Sequence, residues 1–249
     1  MFNLKNEVKA TDTAYSHDQA SKYDDKRFTT IAGMQVHNME LKMLNDSLLA
    51  PSKAIKVLEV GCGTGRLLTE LNKSGYVVDG VDASPDMLMK LEEKVSKDTF
   101  GPKFYVSESV KMPFEDNCYD FVYSIRLLNQ TESEEYALNT IREMIRVTRP
   151  GGFILAEFVN SNRPQIGRNA TKTVRLSHEL ISNSLLESNE CVSVVKNMGV
   201  FLFGMGTIQR TPKLLLGFIS TIDKMCASVL PKLCSRGYVL LMKDSSDAK

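Results

Sequence analysis

From Ile55 onward the chain alternates short, nearly all-apolar runs with longer stretches whose apolar residues recur every three or four positions. The run IKVLEV predicts a strand. GRLLTELNKSG puts Leu67, Leu68 and Leu71 on one face and stops at Gly75, which predicts a helix. VVDGVD predicts a second strand. In SPDMLMKLEEKV, Ser84 stands as the N-cap and Pro85 at the first helical position, with Met87, Leu88, Leu91 and Val95 facing inward. KFYVS and YDFVYSI read as the third and fourth strands. SEEYALNTIREMIRVTRPGG reads as a long helix closed by a Pro-Gly-Gly turn, and FILAEFV as the fifth strand.

Nearly all-apolar strands separated by amphipathic helices indicate a parallel sheet covered on both faces. Ligand in such a sheet belongs at the carboxyl ends of the strands. The tail differs. LSHELISNSLLES and TPKLLLGFISTIDKMCASVL read as helices, CVSVVKNMGVFLF and GYVLLMKD as strands. A late pair of strands predicts an antiparallel edge added to the parallel sheet. In the second tail helix Leu214 to Leu216, Phe218, Ile219, Ile222 and Met225 form an apolar face. Core packing is the preferred reading of that face. A pocket wall stays open, as does contact with a membrane surface through the nearby Lys213, Lys224 and Lys232.

The chain's 249 residues allow one large α/β domain, or one domain plus a modest insertion. With 43% hydrophobic and 24% charged residues, such a domain needs no disulfide or metal staple. A net charge of +1 makes no case for nucleic acid. The cysteines, Cys62, Cys118, Cys191, Cys226 and Cys234, are odd in number and include no CxxC pair. They read as reduced thiols of a cytoplasmic protein, and no cluster has metal-ligand spacing. The N-terminus lacks the apolar core of a leader peptide. The most apolar late stretch is broken by Gln209, Arg210 and Lys213, so no integral membrane segment is expected.

The chemistry concentrates in VLEVGCGTGRLL. A phosphate loop needs a Lys-Ser or Lys-Thr pair after its last glycine, and none follows here. A dinucleotide loop of the form GxGxxG starting at Gly61 needs glycine at position 66, where Arg66 stands. Glu59, two residues before Gly61, would repel a pyrophosphate and suits a ligand carrying positive charge. Local N–H groups are the other partners open to it. Asp82, at the end of the second strand, suits a ribose diol in either kind of nucleoside site.

VLEVGCGTG resembles the first motif of class I S-adenosylmethionine-dependent methyltransferases. GVDASPDML resembles the acidic motif that follows, VSESVKMPFEDNCYDFVYSIRLLNQ the next block, and IREMIRVTRPGGFILAEF the one after. The likeness spans about Val57 to Phe158 and lies nearest the small-molecule branch, which includes ubiquinone- and menaquinone-biosynthesis enzymes. It implies a doubly wound, mostly parallel, Rossmann-like seven-stranded sheet with an antiparallel C-terminal edge strand and an N-terminal helical lid. It further implies a lid over 1–50, a cofactor-binding core over 51–160 and a substrate-side segment over 161–249.

The same resemblance implies S-adenosyl-L-methionine as cofactor, S-adenosyl-L-homocysteine as product, and methyl transfer to an O, N or C atom of a small acceptor. Glu59, Gly61, Cys62, Gly63 and Gly65 would form the cofactor loop, with Asp82 and Ala83 at the ribose. Glu108 and the N–H of Ser109 would meet adenine, and the backbone of Ser124 and Ile125 would lie beside the methionine moiety. Tyr15, Tyr23 and Arg27, in a segment similar to the family's lid, join this set. Arg126 either faces solvent or binds an anionic acceptor. Two departures stand out: Glu108 replaces the usual Asp, and Asn129 and Gln130 occupy positions where members often carry histidine. His17 is then the candidate base, ahead of His37 and His178. A non-catalytic cofactor-binding or partner protein and a NAD-dependent oxidoreductase are the competing readings. No NPPY-type block follows the fourth strand, as amino-methylating nucleic-acid enzymes would require.

Overall fold

The computed structural model describes residues 31–48, 55–95, 101–163, 173–201 and 230–245, with single positions between 215 and 229. Helix α1, Ile31–Ser47, precedes strand β1, Lys56–Val60. Then come α2 (Arg66–Lys73), β2 (Val77–Asp82), α3 (Pro85–Lys94), β3 (Phe104–Val106) and β4 (Tyr119–Ser124). The second half holds α4 (Glu134–Val147), β5 (Thr148–Val159), α5 (His178–Glu187), β6 (Val192–Val200) and β7 (Arg236–Lys243).

The strands form one seven-stranded sheet in the order β3-β2-β1-β4-β5-β7-β6. β1 to β5 pair in parallel, and β7 runs antiparallel to both β5 and β6. The mostly parallel sheet with an antiparallel C-terminal edge is therefore the observed fold. Strand order reverses between β1 and β4, so the carboxyl ends of β1, β2 and β4 meet at the switch point, where open α/β sheets bind ligand.

Alternation along each strand divides the core in two. Val57, Phe121, Tyr123, Leu155 and Tyr238 face α1, α2 and α3, with Leu44, Leu68, Leu71, Leu88 and Leu91 packed over them. Leu58, Val60, Val122, Ile154 and Val239 face α4 and α5, covered by Ile141, Met144 and Ile181. Each such buried leucine or isoleucine contributes about 1.5–3 kcal/mol of transfer free energy. The caps behave as the residue types dictate: the hydroxyls of Ser84, Ser133 and Ser177 accept from Met87, Tyr136 and Leu180 N–H groups at the starts of α3, α4 and α5.

Two readings are corrected. The Pro-Gly-Gly stretch is not a turn between helix and strand but part of β5, which begins at Thr148. The register with β4 shifts from Tyr119↔Thr148 to Phe121↔Phe153, and Gly151 takes φ +76°. Left-handed glycine geometry lets the strand bulge without ending. The core reading of the last tail helix fails at three of its apolar positions, while Leu214, Leu216 and Ile219 lie outside the described residues. Leu215, Phe218 and Met225 are half or more exposed, and Ala227 is the buried residue on the described part of that segment.

Candidate functional site

The loop from β1 to α2 is built on left-handed backbone. Gly61, Gly63 and Gly65 have φ of +73°, +53° and +74°, a region that costs other residues about 1–2 kcal/mol. The three glycines serve different ends. A Cβ on Gly65 would lie 2.1 Å from Leu91 Cδ1, and one on Gly61 would lie 2.9 Å from Leu127, so these two permit close packing. A Cβ on Gly63 would meet nothing within 4 Å, so the loop is open at this position among the described residues.

The loop is tied to β2. The N–H groups of Gly61 and Cys62 donate to Val81 O at 2.8 and 3.1 Å. Gly63 N–H donates to Asp82 Oδ2 at 2.8 Å, and Ser84 N–H to Asp82 Oδ1 at 2.9 Å. One carboxylate thus fixes the open glycine and the start of α3. Burial raises its pKa against those two bonds. Each oxygen retains a lone pair for a vicinal diol. Ala83 follows and is exposed on the same rim.

Glu59 is 3% exposed and bonds inward. Its Oε2 accepts from Leu68 N–H at 3.1 Å and from Tyr123 Oη at 3.0 Å. Leu68 lies in the first turn of α2, so the carboxyl group caps that helix and ties it to β4. Burial raises its pKa to about 8. These bonds supply the local N–H partner that was one of the two readings of this residue. Cys62 is buried with its Sγ beneath Gly80, and burial pushes its thiol pKa well up, leaving the backbone as its contribution to the loop.

At the end of β3, Glu108 Oε2 accepts a hydrogen bond from Tyr136 Oη, and Ser109 Oγ lies 2.8 Å from Thr140 Oγ1. At the end of β4, Ser124 is fully buried and its Oγ donates to Val60 O at 3.0 Å; Ile125 is buried beside it. Arg126 follows in left-handed conformation, φ +68°. Its N–H donates to Glu157 Oε2 at 2.8 Å and its Nε to Glu40 Oε1 at 2.5 Å. Arg126 thus lies against α1, its side chain 14% exposed, not out in solvent. Glu40 also takes Arg66 Nη2 at 2.5 Å, while Arg66 Nη1 donates to His37 Nδ1 at 2.6 Å. Arg236 pairs with Glu157 at 2.7 Å.

The glycine loop, Asp82, Ala83, Glu108, Ser109, Ser124 and Ile125 therefore share one edge of the sheet, at the carboxyl ends of β1 to β4. Tyr15, His17, Tyr23 and Arg27 lie outside the described residues. His178 is 2% exposed, with Nε2 3.1 Å from Tyr238 O and its ring edge-on to Phe158. Burial lowers its pKa, and it serves as a core residue. No group of three or more His, Cys, Asp or Glu among the described residues has metal-binding geometry, and no described helix is long and apolar enough to cross a membrane. Glu40, Tyr136, Glu157 and Arg236 belong to the site's surroundings without having been singled out in the sequence.

An open glycine backbone, a diol-accepting carboxylate and a second carboxylate one strand further fit a nucleoside without phosphate. Residues 57–152 match a family model described as a methyltransferase domain. The chain is 31% identical over 140 residues to demethylmenaquinone methyltransferase of Staphylococcus aureus, covering 55% of each chain. It is 31% identical over 105 residues to a tRNA (carboxymethyluridine(34)-5-O)-methyltransferase of Arabidopsis thaliana, covering 42% of this chain and 24% of that one. The chain thus spans about half, or less, of the length of these relatives. A solved S-adenosylmethionine-dependent methyltransferase from Aquifex aeolicus superposes with a TM-score of 0.60 at 18% identity, over 92% of this chain and all of the other.

Proposed function

We propose that this chain, whose residues 57–152 match a methyltransferase-domain model, is a class I S-adenosylmethionine-dependent methyltransferase that transfers a methyl group to an O, N or C atom of a small acceptor. The observation that carries the reading is Asp82, which holds the N–H of Gly63 where the loop is open and keeps lone pairs for the ribose hydroxyls. Glu108 would take the adenine amino group, Ser109 N–H a ring nitrogen, and the backbone of Ser124 and Ile125 the methionine moiety. Tyr15, Tyr23 and Arg27 would close over them. S-adenosylmethionine, when bound, supplies a methyl carbon already activated by its sulfonium.

The protein's task is then alignment of the acceptor with that carbon and exclusion of water. The lid over 1–50 and the segment over 161–249 would do this around the core over 51–160. His17 is the residue proposed to remove a proton where the acceptor must lose one. Arg126, whose guanidinium pairs with Glu40, would lie on the acceptor side. The thiols of Cys62, Cys118 and Cys191, which form no disulfide among the described residues, support a reducing, cytoplasmic setting.

Incubation with methyl-labelled S-adenosylmethionine and a panel of quinols, phenols, amines and carboxylic acids, with bulk tRNA alongside, tests the proposal. Label in a small-molecule product supports it. Label in RNA overturns the acceptor class, and no transfer to any acceptor by cofactor-bound protein supports the non-catalytic alternative.

A further inference from the structure

We propose that Tyr136 sets the base selectivity of this site by holding Glu108 in place for the exocyclic amino group of adenine, an inference that rests on the adenosyl reading above.

Helix α4 presents Tyr136, Thr140, Glu143 and Arg146 at spacings of four, three and three, which is one helix face. The chain following β3 runs along that face and is bonded to it at every step. Tyr136 Oη donates to Glu108 Oε2. Thr140 Oγ1 lies 2.8 Å from Ser109 Oγ. Glu143 Oε1 accepts from Met112 N–H at 2.6 Å, and Arg146 donates to Phe114 O at 2.9 Å and pairs with Asp116 at 2.6 Å.

The lower three rungs are accounted for by folding. Thr140 is fully buried and Ser109 9% exposed, and Met112 N–H and Phe114 O are backbone groups that need partners. The first rung is different. Glu108 is partly exposed, and its Oε1 makes no hydrogen bond within the described protein. A partly exposed carboxylate needs no tyrosine to satisfy it, since water would do so.

What the phenol does is select one arrangement of a side chain with three rotatable bonds, and it leaves the other oxygen available as an acceptor. Tyr136 remains a donor throughout the neutral range, because burial and then the Glu108 bond push its pKa up to about 12. An amino group at the base edge donates to a held carboxylate. A carbonyl at the same edge, as in hypoxanthine, faces it acceptor to acceptor. Preorganising the carboxylate therefore favours adenine over its deaminated counterpart.

Calorimetric titration of the full chain with S-adenosylhomocysteine and with S-inosylhomocysteine tests this. The wild type is expected to prefer the adenine ligand by about tenfold or more, and Tyr136→Phe to weaken that ligand about 3- to 10-fold while leaving the inosine ligand unchanged. In a Glu108→Ala background, Tyr136→Phe should have no further effect. Thr140→Val, one rung down, should lower the melting temperature without moving the ratio. Equal weakening of both ligands in Tyr136→Phe, or an unchanged ratio, overturns the inference and leaves the adenosyl site standing. A wild type that binds neither ligand overturns both.

Discussion

Glu40 of α1 binds Arg126, 86 residues further along the chain, through one carboxylate oxygen and Arg66 through the other, each at 2.5 Å. Its side chain is 3% exposed, against 14% and 16% for the two arginines. One buried carboxylate thus joins α1 to the first residue of α2 and to the residues that follow β4.

Removing a single partner of a buried ionic cluster costs more than the cluster contributes, because the remaining charges keep their desolvation penalty. Glu40→Ala is therefore expected to lower stability by about 3 kcal/mol, read as a shift of the urea midpoint. A loss under about 0.5 kcal/mol, the range of ordinary surface substitutions, would show that the cluster contributes little.

Glu59 predicts a pH dependence. Its folded pKa of about 8 lies above its ordinary value of 4.5, so the folded state keeps a proton that the unfolded chain releases. Stability should fall as pH rises through that window. Glu59→Gln should flatten the fall while keeping the cap on Leu68. Parallel slopes for wild type and variant in chemical denaturation across the window would count against this assignment.

The glycine loop separates folding from binding. Gly65→Ala puts a Cβ against Leu91 Cδ1 in left-handed backbone and should cost about 2 kcal/mol or more. Gly63→Ala carries the backbone strain without the overlap and should cost about 1 kcal/mol. Melting curves of the two variants give the order, and the reverse order would contradict the packing described.

The parts of this fold that repeat locally were legible. Apolar runs located β1, β2 and β4, and Ser84 with Pro85 located the start of α3, because period and cap chemistry act within a few residues. The edge holding Gly63 and Asp82 followed from strand order. Glu40 and Tyr136 were not legible, since their partners lie 86 and 28 residues away and no spacing announces such a pair. Glu59 was legible as a special acid, but its bonds to Leu68 N–H and Tyr123 Oη, 9 and 64 residues away, were not. Arg149-Pro150-Gly151-Gly152 carries turn chemistry, yet the sheet absorbs it as a bulge in β5. The outward apolar face of Leu215, Phe218 and Met225 shows that periodicity reports a face without saying what covers it.

Asp82 and the open loop at Gly63 are proposed to hold an adenosyl cofactor. Calorimetric titration with S-adenosylhomocysteine, with NAD as comparator and Asp82→Ala as the variant, tests this most directly. Saturable one-to-one binding of S-adenosylhomocysteine, lost in Asp82→Ala while the melting curve stays cooperative, is the expected result. Undiminished affinity in Asp82→Ala, or binding of NAD alone, would contradict the placement of the site.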